Sequence, residues 1–189
     1  MAFDNMWRQK ALISVSKSGG SEVTFHANTK DIKITMPPRD IAIENNTNGG
    51  QVVSYNPDGM WQIDFSGWVY DGIDVDALYA DATAGTSVVN TFSPTRTPVR
   101  VTILWTTDSA AATSTAVSAT SGSTKSRRMS FVKGYITDYP ISYVSSDGKL
   151  MFDVTVKGPA HLSTGVGTIT AVKVDGSIAA LGAYTETDN

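Results

Sequence analysis

Three aspartates, Asp64, Asp138 and Asp153, are the side chains best placed for chemistry, because they fall on the polar sides of predicted strands. If they met across a sheet, a pair of carboxylates could hydrolyse a glycosidic bond as general acid and base or nucleophile. Aspartates on the polar face of a strand are more often simply solvated. We therefore expect these three not to be catalytic, and we predict that the protein is not an enzyme.

The other side chains that bind metals or cofactors are sparse. His26 and His161 have no second histidine or carboxylate at a metal-ligand spacing. Gly165-Val166-Gly167 is too short to indicate a phosphate-binding loop. The chain has no cysteine, which excludes disulfides and thiolate metal sites. The sequence predicts no catalytic residue, no metal site and no cofactor.

Composition is typical of a protein partly covered by neighbours. Of its 189 residues 41% are hydrophobic, enough for a core, but only 17% are charged. The net charge of −3 gives no indication of a nucleic-acid-binding patch. The start, Met1–Lys10, carries Asp4 and no apolar run, so we expect neither a signal peptide nor a membrane span. We expect a soluble protein of the cytosol.

Alternation of apolar and polar residues with a period of two predicts β structure almost throughout. The predicted strands are Lys10–Lys17, Glu22–His26, Asp31–Met36, Asp40–Glu44, Gln51–Tyr55, Met60–Tyr70, Val99–Thr107, Arg128–Tyr139, Lys149–Lys157 and Gly165–Val174. Asn48-Gly49-Gly50 and Ser146-Asp147-Gly148 are predicted turns. One helix is predicted near Asp74–Ala82, where apolar residues recur at helical spacing and Asp74 provides an N-cap.

The apolar sides of the four strongest strands predict the core. Its members are Trp61, Ile63, Phe65, Val101, Ile103, Phe152, Val154 and Val156. We predict one domain over residues 1–189, a β-sandwich or half-open barrel of two antiparallel sheets with one short flanking helix. Terminal arms of about 1–9 and 176–189 complete it.

A long segment, Ser109–Ser126, interrupts the strong strands. Fifteen of its eighteen residues are Ser, Thr or Ala, and Val117 is its one larger apolar residue. Such a segment builds no core and is too long for a hairpin turn. It is either a tolerated surface insertion or a loop that orders against a neighbouring subunit, and the residues leave both readings open.

An ordered set of short motifs resembles the major tail tube proteins of long-tailed, siphovirus-like viruses of bacteria and archaea. The matching steps run from Met60 to Gly158, about half the chain. They are Phe65-Ser66-Gly67, the helix Asp76–Ala82, the strand Val99–Thr107, Gly134-Tyr135-Ile136-Thr137 and Val154-Thr155-Val156-Lys157-Gly158. The tubes of type VI secretion systems and contractile tails look similar. The sequence departs from the family pattern at Pro159 and in its longer Ser/Thr/Ala segment.

The resemblance implies a structural virion protein that polymerises into stacked hexameric rings around a channel conducting DNA during ejection. Its implied partners are copies of itself and the tail terminator, tape measure and baseplate proteins, with no membrane and no sequence-specific DNA binding. Its implied location is the virion tail, after assembly in the host cytoplasm. Alternation and resemblance together place Gln62, Asp64, Asp153 and Thr155 on the channel wall, where a neutral or acidic lining lets DNA slide. Ring stacking is assigned to the long segment, with Ser109, Val117, Gly122 and Ser126 as its candidate contact residues.

A second interpretation from another class stays open. A β-sandwich without catalytic residues could be a binding module, such as a carbohydrate-binding or adhesin domain. An exposed aromatic patch on a stable monomer would favour it, whereas rings or tubes of the purified protein would favour the tail tube.

Overall fold

The computed structural model describes thirteen strands and their nearest connections. The described residues are 10–19, 22–25, 32–37, 40–56, 59–67, 79, 96–106, 126–138, 140–144, 149–159, 161–163, 168–170 and 172–175. The strands are β1 (Lys10–Lys17), β2 (Glu22–Phe25), β3 (Lys33–Thr35), β4 (Asp40–Asn45), β5 (Gln51–Asn56), β6 (Met60–Gly67), β7 (Val99–Thr106), β8 (Ser126–Asp138), β9 (Ile141–Val144), β10 (Lys149–Pro159), β11 (His161–Ser163), β12 (Thr168–Thr170) and β13 (Val172–Asp175).

Nine strands form one antiparallel sheet in the order β2-β1-β7-β8-β10-β6-β3, with β13 beside β8 and β9 beside β10. The sheet curls into a half-barrel. Two small sheets, β4-β5 and β11-β12, stand apart from it in the hydrogen-bonding pattern. The predicted mostly-β, half-open barrel is therefore confirmed, and the sheet is continuous because β8 connects its two parts.

Strand β8 makes that connection by bending. Its first half pairs with β7 and β13, and its last residues pair with β10. The register against β7 slips at Lys133, which has a left-handed φ of 52°, so an extra residue is accommodated there as a β-bulge. Because of the bulge, Met129 and Phe131 face the same core as Gly134 and Ile136. Strict period-two alternation along β8 would put Met129 and Phe131 on the opposite face from Gly134 and Ile136.

The core lies inside the curled sheet. All eight predicted core residues are buried, so this prediction is confirmed. They are joined by side chains of β1 and β8, and the Trp61 and Phe131 rings meet with centroids 5.2 Å apart and planes tilted by 52°. The period-two pattern therefore identifies the inner face correctly on β6, β7 and β10.

The other face of β1, β7 and β8 is buried as well, although its residues are polar. Ser14, Thr102 and Ser130 follow one another across the three strands, with Arg100 and Arg128 on the same face. The apolar pair Leu12 and Leu104 sits among them. This part of the sheet is therefore buried on both faces, which the alternation of small polar side chains does not predict.

Most predicted element boundaries agree with the structure to within one to three residues. Two strands were not predicted: β9 follows Pro140 and pairs with the start of β10, and β11 pairs with β12. The predicted strand Gly165–Val174 is wrong as a single strand, because β12 and β13 belong to different sheets. Of the predicted helix only Tyr79 is described, and it is helical. The segment 107–125 and both terminal arms lie outside the described residues, as does the Ser146-Asp147-Gly148 turn.

Two glycines make room for the largest core side chain. A Cβ atom added to Gly134 on β8, or to Gly158 on β10, would overlap the indole ring of Trp61. At Gly134 it would also lie 2.7 Å from Cγ1 of Val156. Trp61 is fully buried, so its ring can move only against packed neighbours. The glycines of the two motifs Gly134–Thr137 and Val154–Gly158 thus have a packing role.

We expect Gly134→Ala to lower the free energy of unfolding by about 1–3 kcal/mol, because the added methyl group overpacks the site of the indole ring. Trp61→Leu alone should also destabilise, but the double variant should lose less than the sum of the two, since the leucine leaves space for the methyl group. Urea unfolding of the three variants measures this coupling. Strictly additive losses would show that Gly134 does not accommodate Trp61.

Candidate functional site

The four residues predicted to line a channel lie together on one face of the half-barrel. Asp64 is the cross-strand partner of Thr155, and Gln62 and Asp153 lie one pleat away on the same two strands. All four side chains are exposed or half-buried. We define the polar face by the outward side chains of β3, β6, β10 and the end of β8. These are Lys33, Thr35, Gln62, Asp64, Ser66, Tyr135, Thr137, Asp138, Asp153, Thr155 and Lys157.

Hydrogen bonds between side chains hold the polar face in place. The Asp64 carboxylate accepts from Nε2 of Gln62 at 2.8 and 2.9 Å and from Oγ1 of Thr155 at 2.8 Å. Across the next pair, the Ser66 hydroxyl donates to Oδ1 of Asp153. These bonds fix the orientation of both carboxylates, each of which accepts from at least one neutral donor.

Positive charges alternate with these acids. Lys33 on β3 is the cross-strand partner of Asp64, and Lys157 on β10 is the partner of Gln62. With Asp138 and Asp153 included, the described polar face has one more acidic than basic side chain. A surface of this composition neither attracts nor strongly repels a polyanion.

The three aspartates considered for catalysis do meet on this face, since Asp138 and Asp64 flank Thr155 from opposite sides. They are partly or fully exposed, and Asp64 and Asp153 are hydrogen-bonded to neutral donors. Among the described residues, no group of three His, Cys, Asp or Glu side chains could hold a metal ion. No helix in that part of the chain is long and apolar enough to cross a membrane.

A second surface feature is the hairpin, which we define as β4, β5 and their connecting turn, residues 40–56. The turn is fixed by Asn46, whose Oδ1 accepts from the backbone N–H groups of Asn48 at 3.2 Å and Gly50 at 2.9 Å. Gly49 has a φ of 78°, which favours glycine, and its N–H donates to the Asn46 carbonyl at 3.1 Å. The tip of the hairpin is therefore shaped by its own residues.

The hairpin displays apolar side chains to water. Ile41, Ile43, Val52 and Val53 are all exposed, Ile43 at 60%. In sequence, Ile41 and Ile43 alternate with polar or small residues and resemble one face of a half-buried strand. The sequence does not predict that these side chains are exposed. A period-two pattern shows that one side of a strand is apolar, but it does not show whether another part of the protein covers that side. Segregation of β4 and β5 into their own sheet could not be predicted from that pattern either.

The other predicted contact is not described by the structure. Ser109, Val117 and Gly122 lie outside the described residues, and Ser126 is described only as the first residue of β8. Its assignment to ring stacking stays a prediction.

Comparison with known proteins gives only structural neighbours. No family model and no curated protein matches the sequence. The PVC sheath-tube complex of an extracellular contractile injection system, in the extended state, aligns at 8% identity and a TM-score of 0.45, over 87% of this chain and 88% of that one. The tube-terminating cap of the anti-feeding prophage aligns at 10% identity and a TM-score of 0.45, over 87% and 88%. Hcp1 from Flavobacterium johnsoniae aligns at 12% identity and a TM-score of 0.38, over 84% and 98%.

These neighbours are Hcp and tail-tube proteins of contractile injection systems and phage-like tubes. The first two are named for tubes, of a contractile injection system and of a prophage, and the third is named only as Hcp1. Similarity at this identity and TM-score assigns no role to any residue of this chain.

We expect the Thr155–Asp64 hydrogen bond to contribute about 1.5 kcal/mol to stability, at the lower end of the range for hydrogen bonds to charged groups because the carboxylate is partly exposed. A double-mutant cycle of Thr155→Val and Asp64→Ala, measured by thermal unfolding, isolates that coupling. Thr137→Val is the matched control, because the Thr137 hydroxyl makes only a 3.4 Å contact to the Thr155 carbonyl. Zero coupling in the cycle would mean that the carboxylate is held by Gln62 alone.

Proposed function

We propose that the protein is a structural subunit that polymerises into stacked hexameric rings and so forms a tail tube. The observation that carries this proposal is the hairpin, whose apolar side chains stay in water in the isolated chain. Exposed apolar surface of this kind marks an interaction site. The low charge content of the chain fits a protein whose outer surface is largely covered by copies of itself.

The open sheet supports ring formation. Strands β2 and β3 terminate the path of paired strands. Unpaired strand edges bind other strands, which is a hazard in a monomer but provides a joint in a closed ring. In the proposed ring, neighbouring subunits meet through such edges, and the polar face turns towards the central channel.

The polar face suits the conduction of DNA. Its carboxylates and hydroxyls are hydrogen-bonded to one another, and its lysines are balanced by acids. Affinity for DNA depends chiefly on lysine and arginine contacts to phosphates, which release counterions. A wall with a slight acidic excess lets DNA pass without retaining it.

The proposed location of the protein is a virion tail that is assembled in the host cytoplasm. Terminator, tape measure and baseplate proteins are the proposed partners.

Electron microscopy of the purified full-length protein tests the proposal. We expect six-fold rings or tubes, because each subunit carries the surfaces needed to join others. Monomers at every concentration and ionic strength would contradict it and would favour the binding module, in which the exposed Tyr135 on the polar face is the side chain to examine first.

Reversing the charge of the polar face should make the tube retain DNA. We expect tubes of Asp64→Lys/Asp153→Lys to assemble and to bind double-stranded DNA in their lumen at low salt, because each new lysine adds a phosphate contact. Release should become steeply dependent on salt concentration. The matched control is Asp64→Asn/Asp153→Asn, which removes the same carboxylates without adding positive charge. If DNA passes freely through tubes of the Asp64→Lys/Asp153→Lys variant at low salt, the polar face does not line the channel.

A further inference from the structure

We infer that Asn48, in the turn of the hairpin, is a site of spontaneous deamidation, and that Asn46 controls the rate of this reaction. The side-chain amide of Asn48 is converted into a carboxylate without an enzyme. This chemistry belongs to a single chain and does not depend on self-assembly.

The sequence supplies the reactive pair. Asn48 is the only asparagine of the chain that is followed by a glycine, Gly49. Because glycine carries no side chain, nothing on that residue shields the backbone nitrogen that attacks the asparagine amide. Two other asparagines of the hairpin are less suited. Asn46 precedes a threonine, whose branched side chain hinders attack, and Asn56 precedes Pro57, whose nitrogen has no hydrogen to lose.

The reaction is intramolecular. The backbone nitrogen of Gly49 loses its proton to hydroxide and forms a bond to Cγ of Asn48. The bond between Cγ and Nδ2 of Asn48 then breaks, and ammonia leaves with a proton from water. The resulting succinimide ring is hydrolysed at either of its carbonyl groups. The products are aspartate and isoaspartate, in which the main chain runs through the side-chain carbon, and the net change exchanges a water molecule for ammonia.

The structure leaves the reacting atoms open to water. Asn48 and Gly49 are both exposed. Apart from the chain neighbours of Gly49, no atom lies within 4 Å of the position that a Cβ atom on this residue would occupy. The hydroxide that removes the proton and the water that opens the ring can therefore reach the site.

Hydrogen bonds to Asn46 slow the attack. The N–H of Gly49 donates to the Asn46 carbonyl at 3.1 Å, so the proton that must leave is held in a hydrogen bond. Oδ1 of Asn46 accepts from the N–H groups of Asn48 at 3.2 Å and Gly50 at 2.9 Å, which ties both neighbours of Gly49 to the same residue. Attack therefore requires the turn to open, and the rate depends on the fraction of molecules in which it is open.

Deamidation changes the turn in two ways. It adds a negative charge to a chain whose net charge is already −3, close in sequence to the exposed Glu44. Isoaspartate also lengthens the main chain before Gly49, which shifts the N–H groups of Gly49 and Gly50 relative to their acceptors on Asn46. The hydrogen-bonded turn is therefore specific to the unmodified residue.

Incubation of the full-length protein at mildly alkaline pH tests the inference. Samples taken over time are digested with pepsin at acidic pH, where the reaction is slow, and analysed by tandem mass spectrometry. We expect the mass gain of an amide-to-carboxylate conversion at Asn48 before any at Asn46 or Asn56. Incubation in water enriched in heavy oxygen should label the new carboxylate. The rate should rise with pH, because hydroxide removes the proton of Gly49.

Asn46→Ala tests the protection by the turn. This variant removes the side-chain acceptor of two hydrogen bonds, so we expect deamidation of Asn48 to become about three- to tenfold faster. Asn46→Asp is the matched control, because it keeps an acceptor oxygen at the same position and should react no faster than the wild type. In urea the wild type and Asn46→Ala should react at the same rate, since the turn is then open in both.

Three results would overturn the inference. If Asn48 is converted in urea but stays unmodified in the folded protein, the fold blocks the reaction. If the folded and the urea-unfolded wild type react at equal rates, the turn gives no protection, and this comparison requires no variant to fold. If folded Asn46→Ala reacts no faster than the wild type, the side chain of Asn46 does not control the rate.

Discussion

The half-barrel depends on the fit between one indole ring and two glycines. Trp61 projects from β6 into space that Gly134 on β8 and Gly158 on β10 leave empty. A Cβ atom at either position would overlap the ring, which packs against Phe131 in the core. Because β6, β8 and β10 are neighbours in the sheet, this single fit sets how closely the three strands and their shared core approach.

The same three strands produce the two surfaces with opposite character. Their inward residues are apolar and buried, and their outward residues form the polar face. Since successive residues of a strand point to opposite sides, a fixed core on one side also fixes which polar groups are neighbours on the other. Asp64 meets Thr155 for this reason, and a slip of one residue would bury the carboxylate. The polar face is thus a consequence of core packing.

How much could be predicted from sequence depended on whether a feature was local. The apolar sides of β6, β7 and β10 were predicted correctly because alternation is a property of each strand alone. The core position of Phe131 was not predicted, because it depends on the bulge at Lys133. No local sequence pattern indicates that bulge. The burial of Thr102 was also missed, because a threonine reads as polar whether or not another layer covers it.

The candidate site shows the same division. The grouping of Gln62, Asp64, Asp153 and Thr155 is predictable because all four lie on the polar sides of two alternating strands, and the register of β6 and β10 brings them together. The apolar face of the hairpin was not predicted, because exposure is a relation between a segment and the rest of the molecule. The glycine motif ending at Gly158 was recognised as a pattern, and its physical reason is the volume of Trp61.

The course of β8 has a mechanical consequence. Its thirteen residues run without interruption from the partners β7 and β13 to the partner β10. The two parts of the half-barrel cannot slide past each other unless this backbone stretches or its rows of hydrogen bonds break together. A force applied to one part is therefore transmitted to the other through the covalent backbone of β8, and the bulge at Lys133 lies on that path.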